Sequence, residues 1–296
     1  MPSEEIQNLT DFCSPGATCE GSMVTVSEGI SLRVMTFTPA VDMGYPTILF
    51  VAGWITQLRA WKSVLRELTK DFRVVYAETR EKVSSGVSRR EEYSIEAIGH
   101  DLVGLVEQLG LPPGWYVPFG SSLGATAIVD CYSALTSKPL AAILVSPNTV
   151  FRVPRSWMII VTMFYPGLYA LIKPAVKWYL KNFRLDVESD REQYDKYCSA
   201  LDAADPWKLK KAVLSVSKYA IWDRLDLLDC PTLLVGASRD VLHEPENFRA
   251  MVSKIRNATT VDLETNKRTH SEEVAHETRA FLTRILQGSG AKPDRP

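Results

Sequence analysis

The spacing of apolar residues along this chain changes near residue 47. Before it, residues 23–26 and 30–37 alternate apolar and polar positions on either side of Ser27-Glu28-Gly29, a pattern typical of a β-hairpin. After it come short, nearly continuous apolar runs, which indicate strands buried on both faces. These runs cover residues 47–51, 73–77, 115–119 and 140–145. Residues 1–20 show no period, and we expect an irregular N-terminal arm there.

Segments with helical spacing separate these runs, at residues 61–68, 94–109 and 123–135. Ser94 stands where the second of these helices would have its N-cap. The alternation stops after residue 147 and resumes with strands at 232–236 and 259–263, and with helices beginning near Glu246 and covering 271–286. Because strands and helices alternate, the sequence predicts an α/β fold with a parallel sheet covered on both sides.

Residues 148–227 interrupt this alternation with a helical, aromatic-rich stretch. We interpret the stretch as an insertion into the sheet protein rather than as an independent domain. Its most apolar part, residues 156–172, carries no charge but is broken at Pro166-Gly167. That part is shorter than the ~20 apolar residues of a membrane-spanning helix, so we do not expect it to cross a membrane. Further on, Lys208, Lys210 and Lys211 fit an exposed helix face.

Composition and charge exclude several classes of protein. Apolar residues make up 46% of the chain and charged residues 23%, which are ordinary proportions for a globular protein. The formal net charge of −1 gives no positive field for nucleic acid, so we expect no nucleic-acid partner. Four histidines and five scattered cysteines leave little material for a metal site. The N-terminus lacks the features of a signal peptide, so we expect a cytoplasmic protein, in which Cys13 and Cys19 are unpaired.

The candidate chemistry begins with Gly120-Ser121-Ser122-Leu123-Gly124, which has the G-x-S-x-G spacing. The motif follows an apolar strand and opens a helix, the setting in which a sharp turn lifts a serine hydroxyl above the edge of a sheet. The helix N-terminus also favours developing negative charge. Ser122 is the central serine of the motif, and we predict that it is a nucleophile.

A serine hydroxyl attacks at neutral pH only when a base takes its proton. His270 follows the strand at 259–263, at the sheet edge where the sites of open α/β folds form. His100 and His276 fall inside helical patterns, and His243 lies very close in sequence to Asp240. His270 is therefore the predicted base.

The imidazole of such a base needs an acid that holds its tautomer. Asp240 lies just past the strand at 232–236, and we predict this role for it. Asp262 and Glu264 are nearer to His270 in sequence, but Asp262 alternates within a strand and is expected to face solvent. An oxyanion hole would take the main-chain N–H groups of Leu123 and of Trp54.

These features resemble the serine esterase and lipase branch of the α/β-hydrolase superfamily. Ala52-Gly53-Trp54 is similar to the family's His-Gly-x oxyanion turn, with alanine in place of histidine. Residues 78–85 are similar to its Asp-x-Arg-Gly-x-Gly-x-Ser loop, with Glu78 first and without either glycine. The resemblance implies a mostly parallel eight-stranded sheet with the order Ser, Asp, His along the chain, and no cofactor.

The resemblance also implies a helical cap at residues 148–227, inserted into a core of residues 1–147 and 228–296. Trp157, Met158 and Phe164 lie in its apolar part and are candidate substrate contacts. That part has two interpretations: a helix pair packed on the core of the cap itself, or an apolar surface over the Ser122 pocket that also contacts lipid. The second interpretation predicts a preference for medium or longer acyl esters over acetyl esters.

The leading hypothesis is a serine hydrolase that cleaves small carboxylic esters with a lipophilic acyl group through an acyl-enzyme. Acyl transfer, thioester cleavage and C–C hydrolysis use the same residues, and a ligand receptor can share the fold, so the fold and the three residues alone do not separate them. A serine at the centre of the motif argues against the dehalogenase and epoxide-hydrolase branches, which use an aspartate nucleophile there.

Overall fold

The computed structural model describes residues 9–54, 56–151, 155–184, 187, 191–239 and 245–289. Its centre is a nine-stranded sheet. The strands are β1 (Thr18–Ser27), β2 (Ile30–Thr38), β3 (Thr47–Val51), β4 (Val74–Ala77), β5 (Gly86–Val87), β6 (Tyr116–Ser121), β7 (Ala142–Val145), β8 (Thr232–Gly236) and β9 (Ala258–Asp262).

Eight of the strands follow one another in the order β1-β2-β4-β3-β6-β7-β8-β9, and the two-residue β5 pairs only with β2. The pairs from β4 through β9 are parallel, whereas β2 is antiparallel to β1, β4 and β5. The mostly parallel sheet of the sequence analysis is therefore confirmed, with a short ninth strand that the apolar pattern did not indicate.

The described helices alternate with the strands, except between β7 and β8, where several helices follow one another. The helices before β7 are α1 (Lys62–Leu68), α2 (Ile95–Gln108) and α3 (Leu123–Cys131). The helices between β7 and β8 are α4 (Arg155–Met163), α5 (Tyr169–Tyr179), α6 (Arg191–Ala203) and α7 (Pro206–Val216). The chain then continues with α8 (Pro245–Lys254), α9 (Asn266–Thr269) and α10 (Glu272–Ser289). Among the helices described here, none has the length and apolar character needed to cross a membrane.

The sheet is covered on both faces, which explains why its central strands are continuously apolar. One buried cluster joins one face of the sheet to α2 and α3, and the other joins the opposite face to α1 and α10. In β3, the side chains of Leu49 and Val51 belong to the first cluster, and those of Ile48 and Phe50 belong to the second. Because successive strand residues point to opposite faces, the residues on both faces of each central strand must be apolar.

Local signals place the ends of these elements where the sequence predicts them. The Ser94 hydroxyl accepts a hydrogen bond from the Ala97 amide at 3.2 Å, so Ser94 is the N-cap of α2. Gly29, with φ of 72°, makes the turn of the β1–β2 hairpin in a conformation that favours glycine.

Residues 9–20, the described part of the N-terminal arm, are more ordered than the absence of a period suggested. A short 3₁₀ helix covers Thr10–Phe12, and β1 begins at Thr18. Ser14 donates from its amide and its hydroxyl to Thr69 at the end of α1, at 2.9 and 2.8 Å. The thiols of Cys13 and Cys19 are free and buried against the same face of the sheet. Single apolar residues anchor the arm, which is why no periodicity marks it.

The expectation of an exposed lysine face on α7 is wrong for one of its residues. Lys208 is buried, and its ammonium group donates to the main-chain oxygens of Arg80, Lys82 and Ser85 at 3.3, 2.9 and 3.0 Å. The irregular loop after β4 turns these carbonyls inward, and the lysine satisfies them. Lys208 therefore fixes α7 to the loop that follows β4.

Candidate active site

Ser122 lies in the sharp turn between β6 and α3. Its φ of 49° and ψ of −114° are strained for a residue with a side chain. Two main-chain hydrogen bonds hold the turn. The Ser122 amide donates to the main-chain oxygen of Val145 on β7 at 2.9 Å, and the Thr126 amide donates to the main-chain oxygen of Ser122 at 3.0 Å. Ser121 ends the strand and is buried, whereas Ser122 is half-buried. The strand–turn–helix geometry of a nucleophile elbow is therefore present.

The two glycines of the motif let the backbone approach closely on either side of Ser122. A β-carbon on Gly124 would lie 2.2 Å from the Val51 oxygen, and one on Gly120 would lie 2.6 Å from the Ala125 backbone. Both distances are shorter than any real contact, so the packing of α3 against β3 and β6 requires glycine at both positions.

Ser122 and His270 line the same cavity, whose volume is about 450 Å³. Gly53 and Trp54, which follow β3, and Asn148, which follows β7, also contribute to its wall. The cavity lies at the carboxyl ends of the parallel strands, where sites in open α/β sheets form. Its size is typical of a pocket for a small molecule.

The imidazole of His270 is held from two sides. Its ring is stacked on the fully buried Trp61, with ring centroids 4.1 Å apart, and Trp61 packs in turn against Phe50 and Phe119. Its Nδ1 lies 3.0 Å from the main-chain oxygen of Asn266. Nδ1 also lies 3.2 Å from the Thr269 hydroxyl. Because a carbonyl only accepts, the hydrogen bond to Asn266 forms in the tautomer whose Nδ1 carries the proton. In the neutral ring, Nε2 is then the basic nitrogen.

The other candidates for base and acid lie elsewhere. His276 is on the exposed side of α10, 3.2 Å from Glu67, and His100 is exposed on α2. Asp262 accepts hydrogen bonds from the amides of Ser238 and Glu264 at 3.0 and 2.8 Å, as expected of a residue that caps a loop. Asp240 and His243 lie outside the described residues, so the role of Asp240 stays a prediction.

The predicted oxyanion turn lies beside Ser122. A β-carbon on Gly53 would lie 3.4 Å from that of Ser122, so the turn and the nucleophile are in van der Waals range. The Leu123 amide belongs to the first turn of α3, where N–H groups have no acceptor within the helix. The roles of the Trp54 and Leu123 amides as oxyanion donors stay predictions.

Lys82 supports this turn from behind, a contact that the sequence analysis missed. Its ammonium group donates to the main-chain oxygens of Gly53 and Thr56, both at 2.8 Å. Lys82 is buried, and burial lowers the pKa of its amine, an effect that the nearby carboxylates of Glu81 and Glu78 oppose. Burial also raises the pKa of Glu78. Lys82 lies between Glu81 and Val83, the two residues that replace the glycines of the related family loop, and that departure was the only signal in the sequence.

Asn148 is a second group that the sequence analysis did not single out. Its side-chain amide donates to the Ser122 hydroxyl oxygen at 2.8 Å, and its main-chain amide lies 3.3 Å from the Thr126 hydroxyl. The signal available in the sequence was its position, because it is a polar residue just beyond the buried strand β7. The hydrogen bond from the Asn148 side chain orients the Ser122 hydroxyl.

The wall contributed by residues 148–227 differs from the one predicted. Met158 and Phe164 are not among the described residues of the cavity wall, and the side chain of Trp157 lies outside the described part. The wall comes instead from α5 to α7 and the segment before α4, through apolar residues that include Val150, Phe151, Val176, Leu180, Leu201, Val213 and Val216. The cause is the position of α4, which packs against α7 with an exposed outer face.

Comparison with known proteins bears on the fold. No protein-family model matches the sequence, and neither does any curated protein sequence. Solved structures are similar, among them an esterase from Thermogutta terrifontis with 22% identity and a TM-score of 0.68, covering 90% of this chain and 99% of that one. An enol-lactonase from Burkholderia xenovorans LB400 has 18% identity and a TM-score of 0.69, covering 91% and 100%.

A bromoperoxidase from Bacillus anthracis is also similar, with 16% identity and a TM-score of 0.69, covering 89% of this chain and 100% of that one. The three proteins carry different activities in their names, and their identities to this chain are low, so the likeness concerns architecture. Together with the sheet order and the elbow at Ser122, these matches show that the chain has the α/β-hydrolase fold.

Proposed function

We propose that this protein is a serine hydrolase that cleaves carboxylic esters through an acyl-enzyme. Ser122 attacks the ester carbonyl, and Nε2 of His270 accepts the hydroxyl proton. The Trp54 and Leu123 amides donate to the oxygen that becomes negative in the tetrahedral intermediate. His270 then gives the proton to the leaving alkoxide, and a water molecule activated by His270 releases the acid.

The observation that carries this proposal is the shared cavity of Ser122 and His270. Ser122 has a strained backbone at the start of a helix, and Nδ1 of His270 faces a carbonyl. The two residues supply a nucleophile and a base that can activate it. In the proposed reaction, the Asn266 oxygen and the Asp240 carboxylate share the hydrogen bond from Nδ1 and stabilise the imidazolium. Asp240 is proposed as the acid that completes the triad.

Labelling with a fluorophosphonate probe tests the proposal. The probe reacts only with an activated serine, so we expect a single adduct that peptide mass mapping places on Ser122. Ser121 is its neighbour and also borders the cavity, which makes it the internal control for site selectivity. An unlabelled protein, or an adduct on Ser121 alone, would contradict the proposal.

The cavity wall supports a lipophilic acyl group as part of the same proposal. The side chains that α5 and α7 contribute to the wall are aliphatic, namely Val176, Val213 and Val216, and Leu180 just after α5 is aliphatic as well. Each methylene buried against such a wall contributes about 0.8 kcal/mol, so two buried methylenes correspond to a factor of about ten. We therefore expect kcat/KM for hexanoyl esters to exceed that for acetyl esters by at least about tenfold.

Replacement of Val213 by tryptophan should remove the preference for long acyl groups over acetyl groups. The larger side chain fills the acyl end of the cavity, so we expect kcat/KM for a decanoyl ester to fall at least about tenfold, with little change for acetate. Leu214→Trp on the same helix is the matched control, because Leu214 is also half-buried but is not part of the described cavity wall. Equal losses for both esters would show that the acyl group does not lie along α7.

Lys82→Met should lower kcat by about 10- to 100-fold with little change in KM, because the oxyanion turn loses the two hydrogen bonds that the Lys82 ammonium group donates. Lys208→Met is the comparison variant, since Lys208 is equally buried and holds the loop that carries Lys82, through three carbonyls that include that of Lys82, without contacting the turn. Both variants should unfold at lower temperature. If both lose the same fraction of kcat, Lys82 is a structural residue and not a positioning one.

A further inference from the structure

The outer faces of α4 and α5 are apolar and exposed to solvent. On α4, Ile159, Ile160 and Met163 recur at helical spacing, and Met163 is 82% exposed. On α5, Leu171 and Trp178 are separated by two helical turns, lie on the same face, and are 76% and 59% exposed. In a helix that packs on a protein core, such a face is buried. Large exposed apolar surfaces mark sites of interaction, so these faces need a partner.

The charges of this segment are all of one sign. Residues 155–184 contain Arg155, Lys173, Lys177, Lys181 and Arg184, and neither aspartate nor glutamate. The described acid that reaches them is Asp202 of α6, which pairs with Lys173 and Lys177 at 2.8 and 2.7 Å. Two lysines share that one carboxylate, so the segment keeps a net positive charge.

Groups at the ends of the two helices add to the same character. The ammonium group of Lys210 donates to the Thr162 and Phe164 oxygens and places a further positive charge at the C-terminal end of α4. Tyr165 between the helices and Phe183 after α5 are exposed aromatic residues. Apolar faces, aromatic rings and lysines together are the features of helices that lie in the interface of an anionic membrane.

We propose that α4 and α5 form a docking surface for an anionic lipid bilayer. Their apolar side chains enter the boundary between headgroups and acyl chains, and the basic residues attract the acidic headgroups. The same helix α5 lines the Ser122 cavity from its other side through Val176, and Leu180 just after its end does the same. A docked surface therefore lies one helix away from the candidate nucleophile. The docking itself does not depend on the proposed reaction.

Vesicle flotation with the full chain tests this proposal. We expect binding to vesicles of phosphatidylcholine mixed with phosphatidylglycerol, at least about tenfold weaker binding to phosphatidylcholine alone, and loss of binding at high salt. Leu171→Glu/Ala175→Glu and Ile159→Glu/Met163→Glu should each lower the partition coefficient at least about tenfold. Ser122→Ala should bind as the unaltered protein does, which separates docking from catalysis.

The matched control is Val41→Glu/Met43→Glu, which places the same charges on comparably exposed apolar residues outside α4 and α5. Thermal unfolding of every variant shows whether it remains folded, and Lys181→Glu tests the charge without touching an apolar residue. The proposal is overturned if the unaltered protein does not bind anionic vesicles, or if the control pair weakens binding equally. Self-association that the α4 and α5 variants abolish would assign the surface to a second copy instead.

Discussion

Ser122→Ala should lower kcat for ester hydrolysis by about 10⁴-fold or more, because the nucleophile and its base act as one catalytic unit. The substitution removes the atom that forms the acyl-enzyme and leaves the backbone of the elbow with a smaller side chain. It also removes the acceptor of the Asn148 amide hydrogen bond. A chromogenic ester measured under saturating conditions gives kcat directly, and the fluorophosphonate adduct should disappear in the same variant.

Ser121→Ala is the matched control for this prediction. Ser121 is the adjacent residue with the same side chain, but it ends β6 and is buried, outside the strained turn. We expect its kcat to stay within about threefold of that of the unaltered protein, since it does not act as part of the catalytic unit. A large loss in Ser121→Ala with activity retained in Ser122→Ala would reverse the assignment of the nucleophile.

The sheet was predictable because parallel strands that are buried on both faces have continuously apolar sequences. A strand covered on both faces has no polar position to offer, so β3, β4, β6 and β7 stand out as apolar runs. The elbow was predictable for a different reason. Only glycine fits beside Val51 and Ala125, so the two glycines and their spacing carry the geometry of the turn directly.

Contacts between distant parts of the chain were not predictable in this way. Lys82 and Lys208 are buried because carbonyl oxygens of irregular loops face them, and no periodic pattern records where a loop carbonyl points. The stacking of Trp61 on His270 joins residues that lie far apart in the sequence, and no local pattern records such a contact.

The helices between β7 and β8 show the same limit at a larger scale. Their apolar residues were recognisable, but hydrophobicity alone does not say which of them face the cavity. The structure places Val176 on the cavity wall and leaves Leu171 and Trp178 on the outside of the same helix. Position on the helix, rather than apolar character, therefore separates a substrate contact from a surface residue.

His270→Ala should lower kcat by about 10⁴-fold, comparable to the loss of the nucleophile, because the serine hydroxyl then has no base. The variant should remain folded, since Trp61 keeps its contacts with Phe50 and Phe119 when the imidazole is removed. It also leaves a vacant space against the Trp61 ring. We therefore expect added imidazole to restore part of the activity, a rescue that a purely structural histidine would not show.

His276→Ala is the control that discriminates between the two neighbouring histidines. His276 is 54% exposed and lies 3.2 Å from the buried Glu67, which also pairs with Lys70 and Arg279, so its removal should leave kcat within about twofold and cost little stability. The same ester assay, run with and without imidazole, measures both variants side by side. If His276→Ala abolishes turnover while His270→Ala retains it, the base has been misassigned. The stack of His270 on Trp61 would then serve packing alone, and the cavity would need another proton acceptor beside Ser122.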